Sequence, residues 1–289
     1  MTSSPVPPRR NTRAHRGMAL IAVLWIVAAL GIIATGTLQT IRQESRMLLA
    51  ARQEIEAQAL GDGAIQIALQ ALAASNQPIR QMTESNITYR GAVMQIQVMP
   101  LNGLIDINGA GAPLLERLFT VAGGLPAGAA QAAAQAVVQE RERRDARGAP
   151  QRFEAEEDLL RVPGIEYDLY ARLSTLLTAD VRGSGRVNPM AAPVEVLAVL
   201  AGGNIGVAMQ IASSREAGQI GVDTSALDGS LLDTSTVRLF RVQARVPMAD
   251  GSFVRVSRSV DLNARARDGA PWHTFRTSTD VEPVHRKNS

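Results

Sequence analysis

Arg16-Gly17-Met18-Ala19-Leu20-Ile21-Ala22-Val23-Leu24-Trp25, continuing through Ile26-Val27-Ala28-Ala29-Leu30-Gly31-Ile32-Ile33-Ala34, decides how this chain is read. A polar leader carrying Arg9, Arg10, Arg13 and Arg16 ends at Gly17, and an uncharged run begins at once and lasts to Leu38. At ~1.5 Å rise per residue, about twenty such residues cross a ~30 Å hydrocarbon core. The junction therefore reads as a processing site followed by a membrane helix. The leader has no acidic residue among its arginines, so the positive-inside rule leaves the amino terminus in the cytoplasm and carries the rest of the chain across. A secretory signal has a hydrophobic core of only about 7 to 15 residues and ends in a small-x-small site. Here the apolar run is longer, and no proline interrupts the sequence between Pro8 and Pro78. A retained anchor is favoured over a cleaved signal or a buried core helix.

The 289 residues suffice for this segment plus one or two soluble parts with real cores. The formal charge is +3, less than the four leader arginines alone contribute. Lys287 is the single lysine, and the arginines are scattered rather than clustered, which argues against a nucleic-acid-binding surface. With no cysteine there is neither a disulfide framework nor a thiolate metal site.

Past the uncharged run, Leu38, Ile41, Leu48, Ile55, Ile65, Leu69 and Leu72 recur at helical spacing, with Arg42, Glu44, Arg46, Arg52, Glu54 and Glu56 on the other faces. One helix over 18–77 is expected, spanning the bilayer at about 18–38 and amphipathic beyond. A β-strand is expected at Val93 to Val98, where apolar Met94, Ile96 and Val98 alternate with Gln95 and Gln97. Alternation returns at Phe240 to Val246 and at Val254 to Leu262, around Ala249-Asp250-Gly251, a strong hairpin signal. Beyond Asn263, residues 264–289 show no periodicity and are expected to lack fixed structure.

Between the strand regions lies a near-repeat. Ile107-Asn108, Ala112-Pro113, a Leu-rich helix and Ala122-Gly123-Gly124 recur as Val187-Asn188, Ala192-Pro193, a Leu-rich helix and Ala201-Gly202-Gly203; each copy closes in Arg-Glu, at Arg141-Glu142 and Arg215-Glu216. Asn suits a turn or cap, Pro a first helical turn, Gly a helix end. A third helix pair, Phe153 to Arg161 and Glu166 to Leu177, surrounds Val162-Pro163-Gly164-Ile165. The fold class is therefore α+β: a long helix, an antiparallel sheet from 78–103 and 219–263, and an inserted helical domain over 104–218 of helix-hairpin-helix or SAM-like kind.

A leader ending in Gly, an uncharged helix directly after it, an amphipathic continuation and a C-terminal hairpin together resemble the type IV pilin and pseudopilin superfamily. Arg16-Gly17-Met18 to Trp25, Ala59-Leu60-Gly61-Asp62-Gly63-Ala64, Gly103-Leu104-Ile105-Asp106-Ile107-Asn108 and Val187-Asn188 are similar to landmarks of the K-type minor pseudopilins of type II secretion. Prepilins usually place Glu at the fifth residue after the cut; that position here is Ala22, and the K-type family typically lacks the Glu. The resemblance implies cleavage by a prepilin peptidase, methylation of the new terminus at Met18, and assembly with I- and J-type minor pseudopilins at the tip of a periplasmic pseudopilus, from a single-pass anchor in the inner membrane. Ala22 would be the tip-position determinant. Val137 to Asp145 and Asn188-Pro189-Met190-Ala191 depart from the family's usual motifs, and no bound calcium or other cofactor is expected.

Other readings are blander. Glu154, Glu156, Glu157 and Asp158 have the oxygens a hard cation needs, but suit the negative first turn of a helix better. The Val-Pro-Gly-Ile turn is preceded by those carboxylates, which repel phosphate, so no nucleic acid is expected. Gly183-Ser184-Gly185 is a loop rather than a nucleophile elbow. His15 lies in the leader, and His273 and His285 in the expected tail, so no catalytic base is foreseen and the chain is not read as an enzyme. Asp62 is read as a solvated helix residue, with a helix–helix contact as the alternative. A type IV pilus minor pilin and a membrane-tethered DNA-binding helix-hairpin-helix protein remain as alternative functions.

Overall fold

The computed structural model describes residues 47–75, 79–144, 148, 150–181, 183–219, 221–266 and 269–282. The chain divides into two compact units, 1–56 and 57–289. Of the first, residues 47–56 are helical and exposed, Leu48 and Ile55 included. The leader and the membrane segment at 18–38, with Gly17, Met18 and Ala22, lie outside the described residues. Among the described residues, no helix is long and apolar enough to cross a membrane.

The helix α1, residues 47–74, continues into the second unit, where Ala57, Ala64, Ile65, Ala68, Leu69 and Leu72 form one buried stripe. That stripe packs on a five-stranded antiparallel sheet of order β1-β2-β5-β6-β7, formed by β1 (Thr83–Tyr89), β2 (Ala92–Pro100), β5 (Leu239–Pro247), β6 (Phe253–Asp261) and β7 (His273–Glu282). Met94, Ile96, Phe240, Val242, Ala244, Val246, Val254, Val256 and Val260 supply the sheet's half of this core. Period-2 alternation thus sends the apolar residues of the inner strands to the helix and the intervening polar ones to the other face. Burying a Leu or Ile side chain is worth about 1.5–3 kcal/mol, so Ile65 and Leu69, both fully buried, help anchor α1. Gly61 lets the helix approach closely: a Cβ there would lie 2.6 Å from Val256 Cγ2 and 3.1 Å from Val246 Cγ2.

Two strands differ from expectation. β1 lacks strong alternation and joins β2 through Arg90 and Gly91, both at positive φ (50° and 82°), the geometry of a type I′ turn built on an Arg-Gly pair. The stretch expected to lack structure carries β7, paired antiparallel with β6, and Trp272 just before it is 6% exposed in the helix–sheet core. β7 evaded the pattern search because it is an edge strand rich in Thr and charge, with half of its positions exposed, none fully buried, and a register shift beside Ser259 and Val260. The β5–β6 hairpin forms around Asp250-Gly251, with Asp250 Oδ1 accepting from the Ser252 amide at 2.9 Å.

Between β2 and β5 the chain is mainly helical: α2 (Ala112–Val121), α3 (Ala127–Glu142), α4 (Tyr167–Leu173), α5 (Val194–Leu200) and α6 (Ile205–Glu216), around a core of their own. Two short strands, β3 (Ile105–Asp106) and β4 (Leu177–Thr178), pair in parallel within it. The segment expected as a helix from Phe153 is extended to Ala155 and then 3₁₀ over Glu156–Arg161; the turn before α4 uses Gly164 at φ 86°.

The two copies of the near-repeat are built alike. Arg141 Nη1 donates to the carbonyls of Ile107 (3.2 Å) and Ala110 (2.7 Å); Arg215 Nη1 donates to those of Met190 (3.1 Å) and Ala192 (2.7 Å). Each arginine at the end of a helix pair ties down the loop that opened it. Asn108 and Asn188 are not helix caps. Asn108 exchanges hydrogen bonds with Phe153 backbone and donates to Ala179 O at 2.8 Å, and Asn188 Nδ2 donates to Arg80 O at 2.8 Å. The loop leading into the second copy touches the first through glycine, since a Cβ on Gly185 would collide with the Gly109 carbonyl.

Candidate binding cleft

The polar face of the sheet is not open to solvent throughout. It floors a cleft of about 980 Å³ whose other wall comes from the helical part. The strand registers order the floor into three rows running across β2, β5, β6 and β7. The middle row is Gln97, Gln243, Ser257 and Ser278. On one side lie Gln95, Arg245, Arg255 and Asp280; on the other, Met99, Arg241, Ser259 and Arg276. The wall includes Val121, Ala122, Tyr170, Arg172 and Ile205.

The arginines of both outer rows are held. Glu282 on β7 binds Arg245 Nε at 3.0 Å and also pairs with Arg255, while Arg245 stacks 3.7 Å over the Phe253 ring. At the other end, Glu156 from the 3₁₀ turn binds Arg276 at 2.9 Å and Arg241 at 3.4 Å. Arg276 reaches Asp180 as well, at 3.3 Å. Glu156 is only 4% exposed, and burial pushes its carboxyl above the usual range against the pull of Arg276 and Arg241. Burial likewise pushes the Arg241 guanidinium down. This cluster joins the helical part to the sheet. Tyr170 nearby is pushed up to about 12 by burial and by Glu157.

The acidic run read as a helix's negative first turn is indeed the start of a turn of 3₁₀ helix, but sequence reading missed that Glu156 pairs across to the sheet. The missing signal was long-range: Arg241 lies 85 residues away and Arg276 in the supposed tail. Among the described residues, no group of three or more His, Asp or Glu is placed to hold a metal. Asp62 is neither purely solvated nor in a helix–helix contact; it pairs with Arg258 of β6 at 2.6 Å. His273, assigned to the tail, opens β7 at an exposed position opposite Asp261. Of the sequence-designated site residues Gly17, Met18 and Ala22, none falls among those described.

A second buried acid sits in the helical part. Asp106 of β3 is 5% exposed, accepts the Asn108 amide at 2.9 Å, and is pushed up to about 7, mainly by burial.

No protein-family model matches the chain, and no curated protein matches it. A solved structure does: a chain of the GspK-GspI-GspJ complex from the type 2 secretion system of enterotoxigenic Escherichia coli, with a TM-score of 0.50 and 14% identity, over 82% of this chain and 99% of that one. The chain therefore shares a pseudopilin-like fold: α1 on an antiparallel sheet, with helices between its strands.

Proposed function

We propose that this protein is a membrane-anchored minor pseudopilin that starts or caps a periplasmic pseudopilus in a type II secretion system, in a tip complex with I- and J-type minor pseudopilins. The observation that carries the reading is the helix α1 laid along the apolar face of the sheet. It continues a sequence that begins, after Gly17, as an uncharged membrane-length run. The fold shared with a chain of a minor pseudopilin complex supports it. In this reading a prepilin peptidase cuts between Gly17 and Met18, Met18 is methylated, and the described part stands on the periplasmic side of the inner membrane. It performs no catalysis.

Ala22 gives the tip position a physical basis. In a filament of packed helices, a carboxylate five residues from the cut neutralises the amino terminus of a neighbouring subunit in an apolar setting, where an unpaired charge is costly. With Ala22 that pairing is absent, so the subunit gains nothing from a neighbour above it. The helical part between β2 and β5 adds bulk that would obstruct stacking.

The test is Ala22→Glu, scored by secretion and filament assembly in a strain lacking the native copy. At the tip the new carboxylate has no amino terminus to meet, and function is unchanged or reduced. Enhanced assembly would place the subunit in the filament shaft and overturn the tip assignment.

A further inference from the structure

We propose that Asp106 is a pH-sensitive pin under the loop that leads into the second copy of the near-repeat. Neutral, it lets Gly183 to Gly185 rest on the first copy; ionised, it drives that loop off. This goes beyond the pseudopilin reading and stands without it.

The geometry of this seam carries the proposal. A Cβ on Gly109 would lie 2.9 Å from Asp106 Oδ2 and 2.9 Å from Gly185 Cα, so the carboxyl and the second loop's backbone crowd one small space. Asp106 Oδ1 accepts the Asn108 amide, yet the buried carboxyl forms no ion pair with any described residue. The charges around it are spent elsewhere or exposed. Arg141 of α3 gives Nη1 to the carbonyls of Ile107 and Ala110, Arg152 before the 3₁₀ turn is exposed, and Asp180 after β4 is held by Arg276 at 3.3 Å. On the outer side of the loop Arg186 faces Asp233. The two arginines Arg141 and Arg152 pull the Asp106 carboxyl down and Asp180 pushes it up, but burial outweighs them. Ionisation therefore leaves a charge without a partner between two packed backbone segments, which is costly until water reaches it. Lifting Gly183 to Gly185 is the least disruptive way to admit water. Gly183 and Ser184 are already exposed, and the loop's side-chain anchor is Ser184 Oγ donating to Asp233 Oδ2 at 2.7 Å. The device tightens the helical part in mild acid and frees the approach to its second copy as pH rises.

The chain has no cysteine, so Ser184→Cys carries a single nitroxide label whose mobility reports the loop by electron paramagnetic resonance in the detergent-solubilised full chain. The carboxyl stands at about 7 with the loop seated and at the ordinary 3.8 once water reaches it, so opening releases a proton and is favoured as pH rises. The ratio of mobile to immobile label should rise about tenfold per pH unit between about pH 5 and 7 and level off above. Asp106→Asn should abolish that dependence and keep the label immobile. Arg152→Gln, which leaves the buried site intact and removes a charge that pulls the carboxyl down, should move the levelling to higher pH. A label at Thr120→Cys on α2 should not respond, which separates opening of the loop from loosening of the whole fold. An immobile label at every pH, a dependence retained in Asp106→Asn, a levelling point unmoved by Arg152→Gln, or an equal response at Thr120 would each overturn the proposal.

Discussion

Arg141 and Arg215, each closing one copy of the near-repeat, hold the same post: one guanidinium nitrogen spans two backbone carbonyls of the loop that begins the unit. The helical part is one device used twice, and the Arg-Glu endings visible in the sequence are its clasps. Arg141→Met and Arg215→Met should each lower the unfolding free energy by about 1–3 kcal/mol, because a buried carbonyl loses its donor. The two sites share no partner, so the double variant should be close to additive. Urea denaturation followed by circular dichroism checks both points, and strong non-additivity would deny the two clasps their independence.

Gly61 offers a test of sign. In an exposed helix, replacing Gly by Ala stabilises by about 1 kcal/mol. Against Val246 and Val256 the added methyl has no room, so Gly61→Ala should destabilise instead. A rise in thermal midpoint would mean that α1 does not approach the sheet so closely.

Asp106 predicts a pH dependence. Its folded pKa, about 7, stands above the ordinary 3.8, so the folded state holds a proton that the unfolded chain releases. No penalty exists well below pH 4. It grows as pH rises from about 4 to 7, and is complete above that, at roughly 4 kcal/mol. Asp106→Asn keeps an acceptor for the Asn108 amide and should stabilise the protein at pH 8 while leaving it unchanged near pH 4. A benefit equal at both values would refute burial of a protonated Asp106.

The Glu156 cluster should be sensitive to losing one member. Glu156→Gln leaves Arg241, 9% exposed, beside Arg276 without their shared carboxylate, at a cost of about 3–5 kcal/mol. Denaturation of this variant against wild type measures it; a change within about 0.5 kcal/mol would mean that solvent already neutralises the pair.

Much of this architecture was legible in the sequence because it rests on local periodicity. The stripe through Ile65, Leu69 and Leu72, the alternation around Phe240 and Val254, and the Asp250-Gly251 turn each announce their structure within a few residues. β7 did not, because an edge strand has little apolar alternation to show. The Arg90-Gly91 turn lacks the Asn or Asp that marks such hairpins. The cleft was hidden for another reason: its polar rows could be read only as outward-facing residues until the helical part supplied a second wall. Glu156 looked like a helix dipole partner because its true partners, Arg241 and Arg276, are distant in sequence.

The central claim, a prepilin-type subunit retained in the inner membrane, is tested most directly by the mass of the mature amino terminus. The protein would be purified from membranes and its first residue identified. The account expects a chain starting at Met18 and bearing an added methyl group, with Gly17 replaced by a bulky residue leaving the leader attached. A terminus near Ala34 or Thr40 would show cleavage by an ordinary signal peptidase, and would contradict it.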